Sequence, residues 1–483
     1  MHNGNSKHGW YVALGIVLSA AAYYLSTGLH GFWPLVWFAP IPILLVAFNS
    51  SPRTAAVAAF VAFFLGGLNV FTYLRLVVPP GVIVMALTVP GMIFALCVLA
   101  SRWAVLRLGS WVSIFAFPAA WTTYEWLLSL RSSAGTWESL AYTQTDFLPL
   151  LQIVSITGIW GITFLLTLVP SGLAVGWHYL TRKQSSAPAF LVTLVLFLLT
   201  LGYGWVGLSH PVSGPSIRVG LATADAGVRY FRTEQVQEAM PVVQAYAQRA
   251  GKLAAQGAQV VVLPEKFVGV TPAYKDEVLN VLAEAARSNH VMLIAGLNLV
   301  GIHPMRNVAE VFAPDGQRVV EYDKVHFLPG PETGYKIGTK PGLFFVPGAR
   351  CGVEICKDMD FPKWSRNYGR AGAGILFVPA WDFVVDGRWH ARMAVVRGVE
   401  DGFALVRCAA DGLMTVSDYQ GRIIAEKPSS RSSEELLVSE VAPGAGHTFY
   451  SAAGNWFAWV SLILLILILG RTAFSRFGHG GSG

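Results

Sequence analysis

Charged residues are scarce in this 483-residue sequence. They make up 13% of the chain, and 54% of the residues are hydrophobic, whereas a soluble domain averages about 25% charged residues. The scarcity is uneven, because residues 1–207 are nearly free of charge while residues 208–450 have the composition of an ordinary globular domain. The composition therefore excludes a wholly soluble protein and predicts a membrane half followed by a globular domain.

Motifs that bind metals or nucleotides are also missing. The chain has four cysteines, with no CxxC pair, no Cys/His metal spacing and no Gly-rich phosphate loop. Lysine and arginine form no block, although the net charge is +7. We therefore expect no disulfide framework, no metal or other cofactor and no nucleic-acid partner. Cys97 lies in an apolar run, Cys351 and Cys408 are predicted to be packing thiols, and Cys356 is the candidate working thiol.

Long apolar runs fill the first half of the chain. A helix needs about 20 apolar residues to cross a bilayer, and eight runs are candidates: 9–27, 31–49, 54–75, 82–103, 111–130, 151–180, 187–207 and 452–470. They predict a transmembrane domain of seven helices at 1–207, a globular domain at 208–450, and a C-terminal transmembrane helix and tail at 451–483. The Gly-rich end, 478–483, is expected to be a loose tail.

The positive charges that flank these runs indicate an orientation. With the N-terminus in the cytoplasm, most Lys and Arg residues of the short loops fall on the cytoplasmic side: Lys7, Arg53, Arg102, Arg107, Arg182, Lys183, Arg471 and Arg476. Only Arg75 and Arg131 fall on the other side. This bias predicts that the globular domain lies on the outer face of the membrane, which in a diderm bacterium is the periplasmic face of the inner membrane.

Strands and helices alternate in the globular domain, and this pattern indicates an α/β fold. The predicted strands are 216–222, 259–263, 291–296, 306–312, 318–322, 352–355, 375–378, 404–409, 414–417 and 422–425. The predicted helices are 233–256, 274–289 and 387–401.

A polar loop, 131–146, separates the fifth and sixth apolar runs. Together with Glu125 it is a candidate for a lipid access site, but an aromatic belt with a surface loop is the simpler interpretation. Glu125 shares a helix face with Trp121. A carboxylate near the end of a span is costly, yet the sequence assigns it no role.

Three reactive residue types follow predicted strands, where active sites of α/β sheets gather. They are Glu265, Lys324 and Cys356. A thiol can attack an acyl carbon, a carboxylate can move the proton, and an ammonium can hold the oxyanion, with the backbone N–H of Lys357 as a second donor. Singly, each is ordinarily a buried thiol, a surface carboxylate or a solvated charge. Jointly, they predict an acyl-transfer site.

The segments around these residues match a known signature. They are Leu263-Pro264-Glu265, Tyr322-Asp323-Lys324-Val325-His326, Glu354-Ile355-Cys356-Lys357-Asp358 and Phe361-Pro362. They resemble the Glu-Lys-Cys motifs of the nitrilase, or carbon–nitrogen hydrolase, superfamily. Further blocks at 121–127, 140–142, 151–152, 158–161 and 454–456 resemble its membrane branch, the apolipoprotein N-acyltransferases. The resemblance implies an αββα sandwich on a membrane domain of about eight helices.

The resemblance also implies roles for single residues. Glu265 would be the general base, Lys324 the oxyanion holder and Cys356 the nucleophile. Glu332 matches a second family glutamate near the nucleophile, and Trp381 matches a tryptophan of the pocket wall. Three residues of the helix that follows are expected to be structural: Met393, Arg397 and Glu400.

Two positions depart from the family pattern. Lys357 follows the nucleophile where a tyrosine is usual, and Asp358 stands where this branch often has glutamate. Both are kept as supporting or substrate-binding candidates. His326 and His390 are expected to be hydrogen-bonded structural residues, because a Glu–Lys–Cys site needs no histidine.

The implied reaction has two steps. Cys356 would take an acyl chain from a phospholipid, typically phosphatidylethanolamine, as a thioester. The N-terminal amine of a diacylglyceryl-cysteine apolipoprotein would then accept it, with the enzyme acting as a membrane-bound monomer. Two alternatives stay open: a membrane-tethered nitrilase-type amidase or hydrolase with water as acceptor, and a non-enzymatic membrane scaffold with a degenerate nitrilase domain.

Overall fold

The structure is a computed structural model that describes residues 2–29, 31–212, 214–224, 229–429 and 434–475. The chain first forms a helical half, then a domain of two β-sheets, and then a last apolar helix. Arg476 and the Gly-rich end, 478–483, lie outside the described residues.

The helical half consists of α-helices joined by short loops and 3-10 turns. The α-helices are His2–Ser26 (α1), Ile41–Asn49 (α2), Pro52–Gly66 (α3), Phe71–Val77 (α4), Pro80–Leu108 (α5), Ala116–Ser129 (α6), Leu148–Leu151 (α7), Val154–Thr157 (α8), Ile159–Thr181 (α9) and Ala187–Ser209 (α10). The 3-10 helices are Trp33–Trp37, Gly67–Val70, Trp111–Phe115 and Leu140–Gln144.

Six helical segments in the described part of the chain are long and apolar enough to cross a membrane. They are Lys7–Ser26, Pro52–Val77, Pro80–Leu108, Ile159–Thr181, Ala187–Ser209 and Trp456–Phe474. The other two predicted spans, 31–49 and 111–130, are each a 3-10 turn followed by a shorter helix. The prediction of a multi-pass helical membrane protein is confirmed, and the predicted number of eight spans is approximate.

A glycine interrupts the predicted span 151–180, because Gly158 separates the short helix α8 from α9. Gly158 has a φ of +64°, a left-handed value that side-chain-bearing residues rarely adopt. A Cβ at this position would lie 2.5 Å from the ring of Tyr450. The helix therefore breaks where the C-terminal segment packs against the membrane half.

The globular domain contains two sheets, and its strands are Ile217–Thr223 (β1), Val260–Val262 (β2), Gly269–Val270 (β3), Met292–Leu299 (β4), Arg306–Phe312 (β5), Arg318–Asp323 (β6), Gly342–Val346 (β7), Ala349–Val353 (β8), Ile375–Trp381 (β9), Ala404–Ala410 (β10), Leu413–Ser417 (β11), Ile423–Pro428 (β12) and Glu435–Val441 (β13). One sheet has the order β13-β1-β2-β4-β5-β6, with β3 beside β4, and the other has the order β12-β11-β10-β9-β8-β7. The central pairs β1–β2–β4 and β8–β9–β10 are parallel, as expected of strands buried on both faces.

The remaining helices cover the sheets and return the chain to the membrane half: Val236–Ala255 (α11), Lys275–Asn289 (α12), Pro362–Arg370 (α13), Gly387–Asp401 (α14), Phe449–Ala453 (α15) and Trp456–Phe474 (α16). Helices α11 and α12 pack on the outer face of the first sheet. Side chains from both sheets, such as Val262 and Phe377, share the core between them. The layers are those of the predicted αββα sandwich, which is confirmed.

Helix α14 joins the globular domain to the membrane half. Met393, Val396 and Val399 belong to the same buried apolar cluster as the membrane helices. Glu400, which pairs with Arg397 at 2.5 Å, accepts the backbone N–H of Ile159 at 2.8 Å. Met393, Arg397 and Glu400, expected to be structural, therefore lie within the contact between the two halves.

Candidate active site

The two sheets bring the three predicted site residues to one place. Glu265 follows β2, Lys324 follows β6, and Cys356 lies three residues beyond β8. The backbone N–H of Glu265 donates to the carbonyl of Ala380 in the other sheet at 3.3 Å. The thiol of Cys356 lies 3.4 Å from the carbonyl oxygen of Trp381. The end of β9 therefore holds both residues beside it.

The ammonium of Lys324 lies between two carboxylates. Its Nζ donates to Glu265 Oε1 at 2.8 Å and to Glu332 Oε2 at 3.0 Å, and the lysine is only 2% exposed. Burial alone would lower the pKa of Lys324, but Glu265, Glu332 and Cys356 outweigh it and raise the pKa well above its usual value. The site therefore contains a fixed positive charge at neutral pH.

Two further residues complete this ion cluster and were missed in the sequence. The Nδ2 of Asn307 donates to Glu265 Oε1 at 2.6 Å, and Lys266 Nζ donates to Glu332 Oε1 at 2.6 Å. Lys266 has a left-handed φ of +48°, which turns it back toward the cluster. In the sequence, Lys266 could have been noticed because it follows Glu265 directly. Asn307 could have been noticed as an amide near the start of a predicted strand.

The backbone of Cys356 is strained. Its φ is +44°, a value that costs a residue with a Cβ of order 1–3 kcal/mol and tends to mark functional sites. The residue begins a 3-10 helix, Cys356–Asp360, so the predicted strand 352–355 ends earlier than expected, at Val353. Burial, together with Glu265, raises the pKa of Cys356 well above its usual value against the opposing effect of Lys324. The thiol is therefore protonated at rest and needs a base.

Asp358 fixes the segment that carries Cys356. Its carboxylate accepts the hydroxyl of Tyr322 at 2.7 Å, the backbone N–H of His326 at 2.7 Å, and the backbone N–H of Ile355 at 3.3 Å. His326 also contacts this carboxylate through Nδ1 at 3.1 Å and stacks on Phe361 at 3.7 Å. Asp358 and His326 therefore join the Lys324 segment to the Cys356 segment.

The side chain of Lys357 is engaged in a second ion network. Its Nζ donates to Asp360 Oδ2 at 3.0 Å. His390 lies between Asp360 and Asp386, at 3.6 Å and 3.4 Å. Burial alone would lower the pKa of His390, but these two carboxylates raise it to about 10. Tyr73 of α4 donates to Asp386 at 3.0 Å, so the network connects Lys357 to the membrane half.

A cavity of about 330 Å³ is lined by most of these groups, although not by Asn307, His326 or Asp358. One side is formed by the ion cluster, Cys356, Lys357 and Trp381, whose ring meets that of Phe231 edge-on at 4.8 Å. The other side is formed by residues of α4, of α5 and of the turn between them: Tyr73, Leu74, Val77, Val78, Val82 and Ala86. The reactive groups therefore face an apolar wall supplied by the membrane helices. Among the described residues, no group of three or more His, Cys, Asp or Glu side chains is placed to hold a metal ion.

The loop after α6 also lines this cavity, through residues 132–134, Trp137 and Glu138, so the interpretation of 131–146 as a surface loop is wrong for this part. The backbone N–H of Thr136 donates to Asp360 O at 2.9 Å. Gly135, with a φ of +58°, lies so close that a Cβ would be 2.3 Å from the same oxygen. The loop therefore packs directly on the Cys356 segment.

Glu125 holds this loop in place through hydrogen bonds. Its carboxylate accepts hydrogen bonds from Trp121 Nε1 at 2.9 Å, Ser139 Oγ at 2.6 Å, Thr163 Oγ1 at 2.8 Å and the backbone N–H of Leu140 at 3.0 Å. Four donors satisfy a buried carboxylate without a cation. Glu125 therefore connects α6, the loop and α9 through hydrogen bonds.

Glu332 should make the stability of the fold depend on pH in a way that can be measured. Burial alone would raise its pKa, but Lys324 and Lys266 outweigh it and lower the pKa to about 2. A carboxyl group whose pKa is lowered by folding stabilises the fold at pH values above its pKa in the unfolded chain, which is about 4.3. This stabilisation is lost as the pH falls toward about 2. We expect the unfolding temperature in detergent to drop over this range, and to drop less in Glu332→Gln. The same pH dependence in both proteins would contradict the assignment.

Comparisons with known proteins agree with this architecture. A family model described as "Apolipoprotein N-acyltransferase N-terminal domain" matches residues 19–172, and one described as "Carbon-nitrogen hydrolase" matches residues 218–446. The apolipoprotein N-acyltransferase of Geobacter metallireducens is 28% identical over 95% of both chains. That of Vibrio parahaemolyticus is 23% identical over 94% of this chain and 95% of its own. Among solved structures, an amidase from Nesterenkonia sp. is 20% identical over 52% of this chain and 99% of its own, with a TM-score of 0.42.

The sandwich, the Glu–Lys–Cys cluster and the matched domain define a membrane-anchored protein of the carbon–nitrogen hydrolase superfamily. Within this superfamily, the family model that matches the membrane half describes apolipoprotein N-acyltransferases. The relatives that align over nearly the whole chain also have this name. In both domains and over nearly its whole length, the chain is similar to the apolipoprotein N-acyltransferases.

Proposed function

We propose that this protein transfers an acyl chain from a phospholipid to the N-terminal amine of diacylglyceryl-cysteine apolipoproteins, through a thioester on Cys356. The observation that carries the proposal is the shared cavity: the thiol, a carboxylate and an ammonium lie opposite an apolar wall built by α4 and α5. A water-soluble acyl donor does not require such a wall. A lipid tail binds favourably against it, because apolar surface is then removed from water.

In the first step Cys356 attacks the carbonyl carbon of a phospholipid ester. Glu265 takes the thiol proton as the S–C bond forms and returns it to the leaving lysophospholipid oxygen as the C–O bond breaks. Both hydrogen bonds to Glu265 end at Oε1, so Oε2 accepts neither of them and serves as the proton carrier. The products of this step are the thioester and a lysophospholipid.

The oxyanion of each tetrahedral intermediate is held by Lys324 and by the backbone N–H of Lys357. Glu265 and Glu332 fix the ammonium of Lys324 before substrate arrives, and the strained turn at Cys356 fixes the backbone of Lys357. A donor that is already in place costs no reorganisation when the charge develops. Asp358 supports this geometry, and Trp381 forms the wall beside the thioester.

In the second step the amine of the acceptor attacks the thioester. Glu265 takes a proton from the attacking nitrogen, the C–S bond breaks, and the proton passes to the leaving sulfur, which restores the thiol. Because both substrates are anchored in lipid, a site that opens toward the membrane helices meets both without releasing either into water. We place the globular domain on the periplasmic face of the inner membrane, with phosphatidylethanolamine as donor and a monomer as the working unit.

The test uses the purified full chain in detergent–phospholipid micelles. Phosphatidylethanolamine with a labelled acyl chain and a diacylated lipopeptide are supplied together. The proposal predicts a labelled triacylated lipopeptide and one equivalent of lysophospholipid. Labelled free fatty acid without lipopeptide acylation would instead identify a hydrolase, and the absence of turnover and of labelled protein would identify a scaffold.

A further inference from the structure

A second cavity of about 140 Å³ adjoins the active site inside the membrane half. Most of its walls come from α1, α3, α5, α6 and the loop after α6, and single residues of α4, α9 and α14 complete them. Four residues line both cavities: Leu74, Ala86, Trp137 and Glu138. The two cavities are therefore neighbours, and Trp137 and Glu138 form the polar part of the partition between them.

Glu138 is a carboxylate without a partner at this partition. No ion pair or hydrogen bond of its side chain occurs among the described residues, and the residue is accessible to a ligand although the walls of both cavities surround its carboxylate. The enclosing walls desolvate the carboxylate and, with repulsion from Glu125, raise the pKa of Glu138 to about 7. No cation offsets these two effects. A bound positive group would supply what the protein itself does not.

The other acids of the two cavities are already satisfied. Four hydrogen bonds serve Glu125. The remaining five pair with basic side chains within the described residues: Glu265, Glu332, Asp360, Asp382 and Asp386. Glu138 is thus the acid of these cavities that stands available to a ligand in the described part of the chain.

Aromatic side chains line both cavities together with Glu138. The ring of Tyr73 stacks on that of Trp137 at 5.3 Å, and Trp137 meets Trp389 at 6.1 Å. Trp389 and Tyr124 line the second cavity with Glu138. A carboxylate beside aromatic faces is the arrangement that binds an organic ammonium, by charge and by cation–π attraction. An anionic or neutral group would gain neither the charge attraction nor the cation–π attraction.

We infer that Glu138, with Trp137 beside it, binds the primary ammonium of a lipid substrate. This inference rests on the proposed function, because it assigns the ligand of the same site. The shared chemistry is a primary ammonium on a lipid, which comes either from an ethanolamine headgroup of the donor or from the N-terminus of the acceptor lipopeptide. A glycerol headgroup has no such ammonium, and this difference separates the two sources.

The donor arm measures formation of the acyl-enzyme without acceptor, using phosphatidylethanolamine or phosphatidylglycerol with the same acyl chains. If the headgroup is the ligand, the full-length protein forms the thioester about tenfold faster from the ethanolamine lipid, the ratio expected of one such contact. Glu138→Gln lowers this ratio to about one, and Glu138→Asp, which keeps the charge, restores part of it.

The acceptor arm starts from acyl-enzyme that was formed with phosphatidylglycerol as the donor. Diacylated lipopeptide is then added. If the acceptor amine is the ligand, Glu138→Gln raises the apparent KM for the lipopeptide about tenfold while thioester formation is unchanged. The control is Glu277→Gln, which removes an exposed carboxylate on α12. Unfolding temperatures of all variants are measured in the same detergent.

The outcomes separate this inference from the proposed function. A change in either arm, specific to Glu138 and repaired in part by Glu138→Asp, supports the ammonium site. A wild-type protein that acylates the lipopeptide, with Glu138→Gln equal to it in both arms, overturns the inference alone. A folded wild-type protein that forms no thioester overturns the proposed function and this inference with it.

Discussion

Replacing Cys356 with alanine is expected to lower acyl transfer to the lipopeptide by at least about a thousandfold, because no other group can carry the acyl chain between the two lipids. The fold should persist, since alanine keeps the Cβ at the same φ of +44° and only the sulfur, which lies at the cavity, is removed. Initial rates with saturating donor, and the unfolding temperature in detergent, are the measurements.

The matched control for this variant is Cys351→Ala. Cys351 lies five residues earlier, fully buried between the sheets, and its removal should leave the rate within a few-fold of wild type. Transfer by Cys356→Ala within about tenfold of wild type would show that another residue carries the acyl group, and the assignment of the thiol would fail.

Replacing Lys324 with methionine is expected to destabilise the protein and to stop turnover. Glu265 and Glu332 would lose the ammonium they share at 2.8 Å and 3.0 Å. Breaking a buried ion pair on one side typically costs about 3–5 kcal/mol. Loss of one oxyanion donor lowers the rate by about 10²–10³. Chemical denaturation and single-turnover thioester formation measure the two effects separately.

The double variant Lys324→Met/Glu332→Gln tests the origin of the destabilisation. It removes one of the two carboxylates that Lys324→Met leaves with Lys266 as their remaining ammonium, so part of the lost stability should return while thioester formation stays as slow as in the single variant. Lys336→Met, which removes a half-exposed lysine, controls for the loss of a positive charge. If the double variant is no more stable than Lys324→Met, the shared ammonium is not what holds this cluster together.

Much of the fold was predictable because local patterns in this chain agree with the tertiary structure. The valine run before Glu265 is a buried parallel strand, and the predicted helix 274–289 is Lys275–Asn289. The strands Gly342–Val346 and Glu435–Val441 were not predicted. Both are partly exposed strands at the edges of their sheets, so their state depends on pairing with β8 and β1.

The membrane half was predicted less well for a related reason. Hydropathy reports apolar length, so it joined 151–180 into one span, although Gly158 breaks the helix where Tyr450 packs against it. The contact that decides this break comes from a residue almost 300 positions away in the chain. A single-sequence pattern contains no information about that contact.

In the candidate site, the sequence indicated residues that follow strands but not those that complete the cluster. Glu265, Lys324 and Cys356 were accessible to chemical reasoning because their types together suggest one reaction. Lys266 and Asn307 were not, because their roles depend on a left-handed turn and on the pairing of β5 with β6. The loop at 131–146 was misjudged, since only its contact with Asp360 brings it to the cavity.

The most direct test of the central claim is the intact mass of the full-length protein during a two-stage reaction. Incubation with phospholipid alone should add the mass of one acyl chain minus one hydrogen, located at Cys356 by peptide mapping. Addition of diacylated lipopeptide should return the protein to its original mass as the lipopeptide gains the same chain. A protein that never gains the acyl mass while the lipopeptide becomes acylated, or that carries the chain at another residue, would contradict a thioester at Cys356.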